Sequence, residues 1–311
     1  MRVVFMGTPD FAVPCLQELL RGGHHVAAVV TQPDRPRGRG QQMAYSAVKQ
    51  AAFDAGILVL QPQKVRDSDF VAQLRTYAPE VIVVVAFGQI LPAEILTLPP
   101  YGCVNVHASL LPKYRGAAPI HWAVINGEPK TGVTTMLMDQ GLDTGDMLLQ
   151  AEIAIGSVEN VGSVHDRLAE LGSKLLTETL TRLGAGNLPR IPQSDADSTY
   201  APMLGRKDEN LALDRDNQTI VNHIRGMNPW PGAYTTYKGK VIKLWSALPV
   251  NDSSGATPGS VVHIDKNKGI TLQAGQGQIM LLEVQPQGGK KMSAAAFANG
   301  YALSVGDKLG E

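Results

Sequence analysis

Apolar runs without alternation recur early in the chain, at 3–6 (VVFM), 26–30 (VAAVV), 57–60 (ILVL) and 81–87 (VIVVVAF). A half-exposed strand alternates apolar and polar residues, so unbroken runs predict strands buried on both faces, as in a parallel sheet. Helix-length segments separate them. Behind Asp10, the spacing of Leu16, Leu19 and Leu20 predicts the first helix, with Pro14 close enough to its first turn to be tolerated and Gly22–Gly23 as its stop. A long helix is predicted over 161–184, where Leu168, Leu171, Leu175, Leu176 and Leu180 form a core-facing stripe.

Alternating strands and helices imply right-handed crossovers and an open, Rossmann-like, parallel-type sheet, an α/β architecture. Such sheets bind ligands beyond the carboxyl ends of their strands. Residues 185–206 are rich in Pro, Ser, Asp and Gly and read as a linker. After them, YTTYKGKVIKLW, GSVVHI, GITLQAG and QIMLLEVQ alternate between turn signals, which predicts a small β-domain compatible with a five-stranded OB-like β-barrel. The expected division is a domain over 1–188, a linker over 189–206 and the β-domain over 207–311.

Composition adjusts this picture modestly. The 311 residues suit two domains, and the formal net charge is +0. Residues 205–311 carry 12 Lys/Arg against 9 Asp/Glu, and residues 1–204 carry 16 against 19. That mildly basic end permits a nucleic-acid role and excludes a wholesale polyanion-binding coat. Cys15 and Cys103 have no metal spacing and read as reduced core residues. MRVVFMGTPD meets its turn residues too soon for a signal peptide, and no run approaches the ~20 apolar residues that span a bilayer, so a cytoplasmic protein without membrane association is expected.

The chemistry concentrates after the strand around 102–106, in NVHASLLPKYRGAAP. Asn105 and His107 alternate on one strand, so their side chains share a face. A lone histidine there is compatible with a structural role. The glycine-flanked loop GLDTGD over 141–146, with its two carboxylates, reads either as a turn or as the partner that orients the imidazole. Asn, His and Asp together would serve acyl transfer, the amide and imidazole stabilising an oxyanion and the His–Asp pair handling an amine's protons. The first turn, GTPDFA, lacks G-x-G-x-x-G, which argues against nicotinamide binding. Ser163, His165 and Asp166 share one helix without a nucleophile elbow, and His24, His25, His121 and His223 have no partner at metal-ligand spacing, so neither a hydrolase triad nor a metal site is expected. The loop QPDRPRGRGQQ is compatible with solvated surface and with phosphate contacts.

Taken in order and spacing, VVFMGTPDFA, TQPDRPRGRG, VVVAFGQIL, NVHASLLPKYRGAAP with HWAVINGE, GLDTGDML and MNPWPGAYT resemble the bacterial methionyl-tRNA formyltransferase family from end to end. SLLP or GLDTGD alone would mark only the wider group that uses 10-formyltetrahydrofolate. The resemblance implies formyl transfer from 10-formyltetrahydrofolate to the α-amino group of methionine on initiator tRNA, with no metal or redox cofactor, by a monomer. It assigns catalysis to Asn105, His107 and Asp143. Folate contacts fall to Ser109, Leu110, Leu111 and Pro112, with Phe87, Gly88, Gln89 and Ile90 lining the pterin pocket. Arg35, Arg37 and Arg39 correspond to the loop that touches the acceptor stem, and the OB-like domain would hold the tRNA.

The chain departs from the family where Y-A-x-K-L is replaced by Tyr200–Leu204 with Met203, and where arginine with I-D-W is replaced by Leu211–Arg215. Both departures bear on tRNA affinity or domain packing more than on chemistry. Two other readings use the same N-terminal module: formylation of a nucleotide amino-sugar, or hydrolysis of 10-formyltetrahydrofolate, neither of which requires the arginine loop. A catalytically idle RNA-binding protein is a further alternative, opposed by the intact Asn105, His107 and Asp143.

Overall fold

The computed structural model describes residues 1–37 and 42–311. Along the chain run β1 (Arg2–Gly7), α1 (Val13–Arg21), β2 (His25–Val30), β3 (Arg35–Arg37), β4 (Gln42–Ala44), α2 (Ala47–Asp54), β5 (Val59–Leu60), α3 (Ser68–Thr76), β6 (Val81–Val85), α4 (Ala93–Leu96) and β7 (Cys103–His107). There follow α5 (Pro119–Ile125), β8 (Lys130–Leu137), β9 (Met147–Ala154), α6 (Val161–Gly184), α7 (Arg206–Glu209) and α8 (Asn217–Gly226). The last part holds β10 (Tyr234–Tyr237), β11 (Lys240–Val250), β12 (Val261–Asp265), β13 (Gly269–Gln273), β14 (Gln278–Pro286), β15 (Met292–Ser293) and α9 (Ala294–Gly300).

Contacts divide the chain into two units, one of 1–117, 131–153 and 165–201, the other of 118–130, 154–164 and 202–311. This differs from the continuous domains read from composition. Segment 118–130 goes with the second unit because α5 packs on α8, Trp122 Nε1 donates to Pro202 O and His121 Nδ1 bonds Gly226 O. Residues 189–201, read as linker, instead belong to the first unit. Ile191 exchanges both backbone bonds with Met147, and Arg115 N and Ala201 N are bonded to Thr199 O and Arg115 O. Pro, Ser and Asp leave this segment only one short 3-10 turn, Asp195–Asp197, but do not prevent its attachment to others.

In the first unit, the sheet order is β5-β2-β1-β6-β7-β8-β9. The ladders are parallel from β5 to β7, and β7 pairs antiparallel with β8. Adjacent residues Val3, Val4, Phe5 and Met6 are all fully buried, as are Val81 to Val83 and Val85, so both faces of the central strands are covered. Asp10 opens a short 3-10 turn rather than capping α1, and Pro14 occupies the first turn of the helix, where its missing N–H costs nothing. Burial pushes both thiols, Cys15 and Cys103, up to about 12, so both stay neutral inside the core. The β8–β9 hairpin was not apparent in the sequence, because the buried Thr131, Thr134 and Thr135 obscure its apolar pattern.

In the second unit, the antiparallel sheet has the order β10-β11-β14-β13-β12, with β15 beside β14. Its edge strands are joined through the last residues of the chain. Leu309 N donates to Gly259 O and Val261 N to Asp307 O beside β12, while Gly310 N donates to Thr236 O of β10. These bonds draw the two edges together as a barrel requires. Leu244, Ile270, Leu272, Ile279, Leu281 and Phe297 fill the interior.

His223 of α8 is bonded through Nε2 to Asp208 O at 2.7 Å. Burial, partly offset by that bond, holds its pKa below the usual 6.5. The folded state therefore binds fewer protons than the unfolded chain, so the contribution of His223 is complete above pH 6.5 and lost as the pH falls toward the folded value. Denaturant titrations at pH 7.5 and 5.5 should show His223→Gln losing less stability on acidification than the unaltered protein; equal losses would contradict this.

Candidate active site

The end of β7 places the first two catalytic candidates. Val106 packs toward Gly172 of α6, where a Cβ would stand 3.1 Å from Cγ1 of Val106, so Asn105 and His107 project from the opposite face. Asn105 is 9 % exposed, and among the described residues its side chain has no hydrogen-bond partner. An amide with no protein partner is free to meet a ligand. His107 is fixed differently: Nε2 lies 2.9 Å from Tyr114 O, which can only accept. Nε2 therefore carries the hydrogen, leaving Nδ1 as the atom that takes or gives a proton. Nδ1 faces Asp143 Oδ2 at 3.6 Å.

Asp143 reaches this position from the β8–β9 connection. It adopts φ +54, a left-handed conformation that non-glycine residues rarely take. Its Oδ2 accepts from Gly116 N at 2.8 Å. The loop around it is tightly turned: Asp139 Oδ1 accepts from Gly141 N at 3.0 Å and from Thr144 Oγ1 at 2.7 Å. Gly145 sits against Leu137 O with no room for a Cβ. Gly116 likewise has φ +115, and a Cβ there would meet the Tyr200 ring at 2.6 Å and Ala201 O at 2.7 Å.

The loop 109–112 lies alongside. Ser109 is fully buried and donates from Oγ to Lys113 O at 2.7 Å, closing its own turn, while Leu111 is buried and Leu110 packs over Gly132. Thr134 Oγ1 donates to Ser109 O and accepts from Leu111 N, and Gln150 Nε2 donates to Leu111 O. In the turn after β6, Phe87 is buried in the core, and its carbonyl accepts from Thr8 Oγ1 at 2.9 Å and Gln32 Nε2 at 3.3 Å. Gln89 is bonded to Val65 N at 3.0 Å, and Ile90 is 85 % exposed. Beneath Gly88 opens a cavity of about 380 Å³ whose lining includes Thr8, Gln32, Arg35, Tyr45 and Ser46. None of Asn105, His107 and Asp143 lines it.

Arg35 stands at that cavity with Nη2 3.5 Å from Gln32 Oε1, Arg37 lies in β3, and Arg39 falls outside the described residues. Sequence reasoning missed Thr134, Gln150 and Gln193. Each makes three side-chain hydrogen bonds, mostly to residues distant in sequence, which no local spacing reveals. Among the described residues, no group of His, Cys, Asp or Glu is placed to hold a metal, and no helix is long and apolar enough to cross a membrane.

Residues 1–180 match the formyl transferase family and residues 204–302 its C-terminal domain. The methionyl-tRNA formyltransferase of Pelotomaculum thermopropionicum is 55 % identical over 312 residues, covering 100 % of this chain and 99 % of its own. That of Moorella thermoacetica is 51 % identical over 310 residues, with coverages of 100 % and 99 %. Solved structures share the fold. WlaRD, a sugar 3N-formyl transferase, gives a TM-score of 0.66 at 19 % identity over 90 % of this chain and 97 % of its own. HypX from Aquifex aeolicus gives 0.66 at 17 % identity over 99 % of this chain, which spans about half of HypX (48 %). With its two matched domains and relatives more than half identical along their whole length, this chain belongs to the methionyl-tRNA formyltransferase family.

Proposed function

We infer that the chain transfers the formyl group of 10-formyltetrahydrofolate to the α-amino group of methionine on initiator tRNA, acting as a monomer in the cytoplasm. The observation that carries this reading is the Asn105 amide, without a side-chain partner among the described residues, on the same strand face as the His107–Asp143 pair, in a chain whose full-length relatives bear that activity's name. The residues fit the donor: the Asn105 amide and the His107 imidazole share a face, and Ser109–Pro112 and Phe87–Ile90 lie in the same unit. The donor supplies the formyl group on its N10.

Asn105 is suited to donate from Nδ2 to the oxyanion that develops when the methionyl amine adds to the formyl carbon. His107, its ring held by Nε2–H donating to Tyr114 O, offers Nδ1 for the proton the amine loses, and the Asp143 carboxylate facing Nδ1 then stabilises the imidazolium that forms. A proton passes to N10 as its bond to the formyl carbon breaks, so the products are N-formylmethionyl-tRNA and tetrahydrofolate. In this reading Arg35, Arg37 and Arg39 and the antiparallel β-domain engage the tRNA backbone. Met203, in place of the family's lysine, removes one cation from that surface and is 77 % exposed.

The test is formyl transfer to methionyl initiator tRNA, to elongator tRNA, to a nucleotide amino-sugar and to water, with Arg39→Ala in parallel. Turnover should depend on initiator tRNA and fall with Arg39→Ala through a raised KM for tRNA. Donor consumption without tRNA would move the chain to the sugar or hydrolase branch.

A further inference from the structure

We propose that Gln193, keyed by Arg115, is the positioning residue for Asp143, so that the strap 193–201 after α6 belongs to the catalytic apparatus. The proposal rests on the catalytic reading of Asp143 given above. Gln193 Nε2 donates to Asp143 O and to Gly145 O, both at 2.8 Å, from 50 and 48 residues away in sequence. Two carbonyls of one short loop are thereby drawn to a single donor, which holds the turn that points the Asp143 carboxylate at His107.

The amide's orientation is fixed by chemistry. Carbonyls only accept and a guanidinium only donates, so Nε2 must face the loop and Oε1 must face Arg115. Arg115 Nε donates to Gln193 Oε1 at 3.0 Å, and its Nη1 pairs with Asp195 Oδ1 at 2.8 Å. Arg115 is itself 9 % exposed and locked to the strap through Thr199 O and Ala201 N. Its neighbour Gly116 supplies the N–H that binds the Asp143 carboxylate. One dipeptide, Arg115–Gly116, thus governs both ends of Asp143: the carboxylate directly and the main chain through Gln193. The 3.6 Å between His107 Nδ1 and Asp143 Oδ2 is longer than a hydrogen bond, so a small displacement of the loop decides whether the pair closes.

Gln193→Met keeps the side-chain volume and removes both donors. It should lower kcat by about 10- to 100-fold, the scale of an ångström misplacement, while KM for tRNA and donor each change less than about threefold. In an Asp143→Asn background, the same substitution should change kcat less than about twofold, because the group it positions has already been disabled. Arg115→Lys, which keeps a cation for Asp195 and withdraws the Nε–H, should show a smaller loss that is again absent in that background. Thermal unfolding checks that each variant folds; if Gln193→Met does not, Arg115→Lys carries the test. Equal losses in both backgrounds would mean a general structural role and would overturn the proposal. A slow Asp143→Asn with normal Gln193→Met and Arg115→Lys would overturn positioning alone, whereas normal turnover by Asp143→Asn would remove the catalytic reading and the proposal with it.

Discussion

Asp143→Asn is expected to slow formyl transfer by about a hundredfold or more while leaving the folded protein close to its original stability. The amide oxygen can still accept from Gly116 N, and Asn is among the residues most at ease in the left-handed region that Asp143 occupies at φ +54. What disappears is the negative charge facing His107 Nδ1. Asp143→Ala separates the two roles. It strips the acceptor from Gly116 N–H and leaves a residue with no local hydrogen bond at a strained φ, adding a stability loss of about 1–3 kcal/mol. Steady-state rates together with denaturant midpoints check this pair; an alanine variant as stable as the asparagine variant would contradict the structural half.

Asn105→Ala is the complementary case, with a large loss of rate and almost none of stability. Most buried asparagines leave an orphaned partner when truncated. Here the side chain has none among the described residues, so removal costs only packing contacts, and loss of the oxyanion donor should lower turnover by about 10²–10³-fold. Substrate KM values should stay within about threefold, since the lost interaction forms fully only in the transition state. A stability loss above about 2 kcal/mol would instead mark Asn105 as a structural residue.

The physical visibility of each feature decided what the sequence disclosed. Buried parallel strands announce themselves as unbroken apolar runs, which is why β1, β2 and β6 were legible, and α6 was read to its residue bounds. The shared face of Asn105 and His107 followed from period-two alternation and the 141–146 loop with its two carboxylates from its glycines, whereas the choice of Asp143 within that loop came from the family resemblance. The β8–β9 hairpin was hidden because threonines fill its buried positions, Thr135 bonding Thr179 of α6 within the core. The segment 191–201, which contains the strap 193–201, was hidden for a different reason. Its composition does describe a segment without internal ladders, but its order comes from Met147, Arg115 and the Asp143 loop, all distant in sequence. The domain division shifted for the same cause, since the attachment of α5 to α8 is a tertiary contact that no local pattern encodes.

The central claim, that the formyl group moves at the face shared by Asn105 and His107, is tested most directly by rapid-quench single turnover with a labelled formyl donor and methionyl initiator tRNA, both saturating. The unaltered protein should deliver the label to methionine, and Asn105→Ala should bind both substrates yet transfer the label at least about a hundredfold more slowly. Equal single-turnover rates for the two proteins would place the chemistry elsewhere.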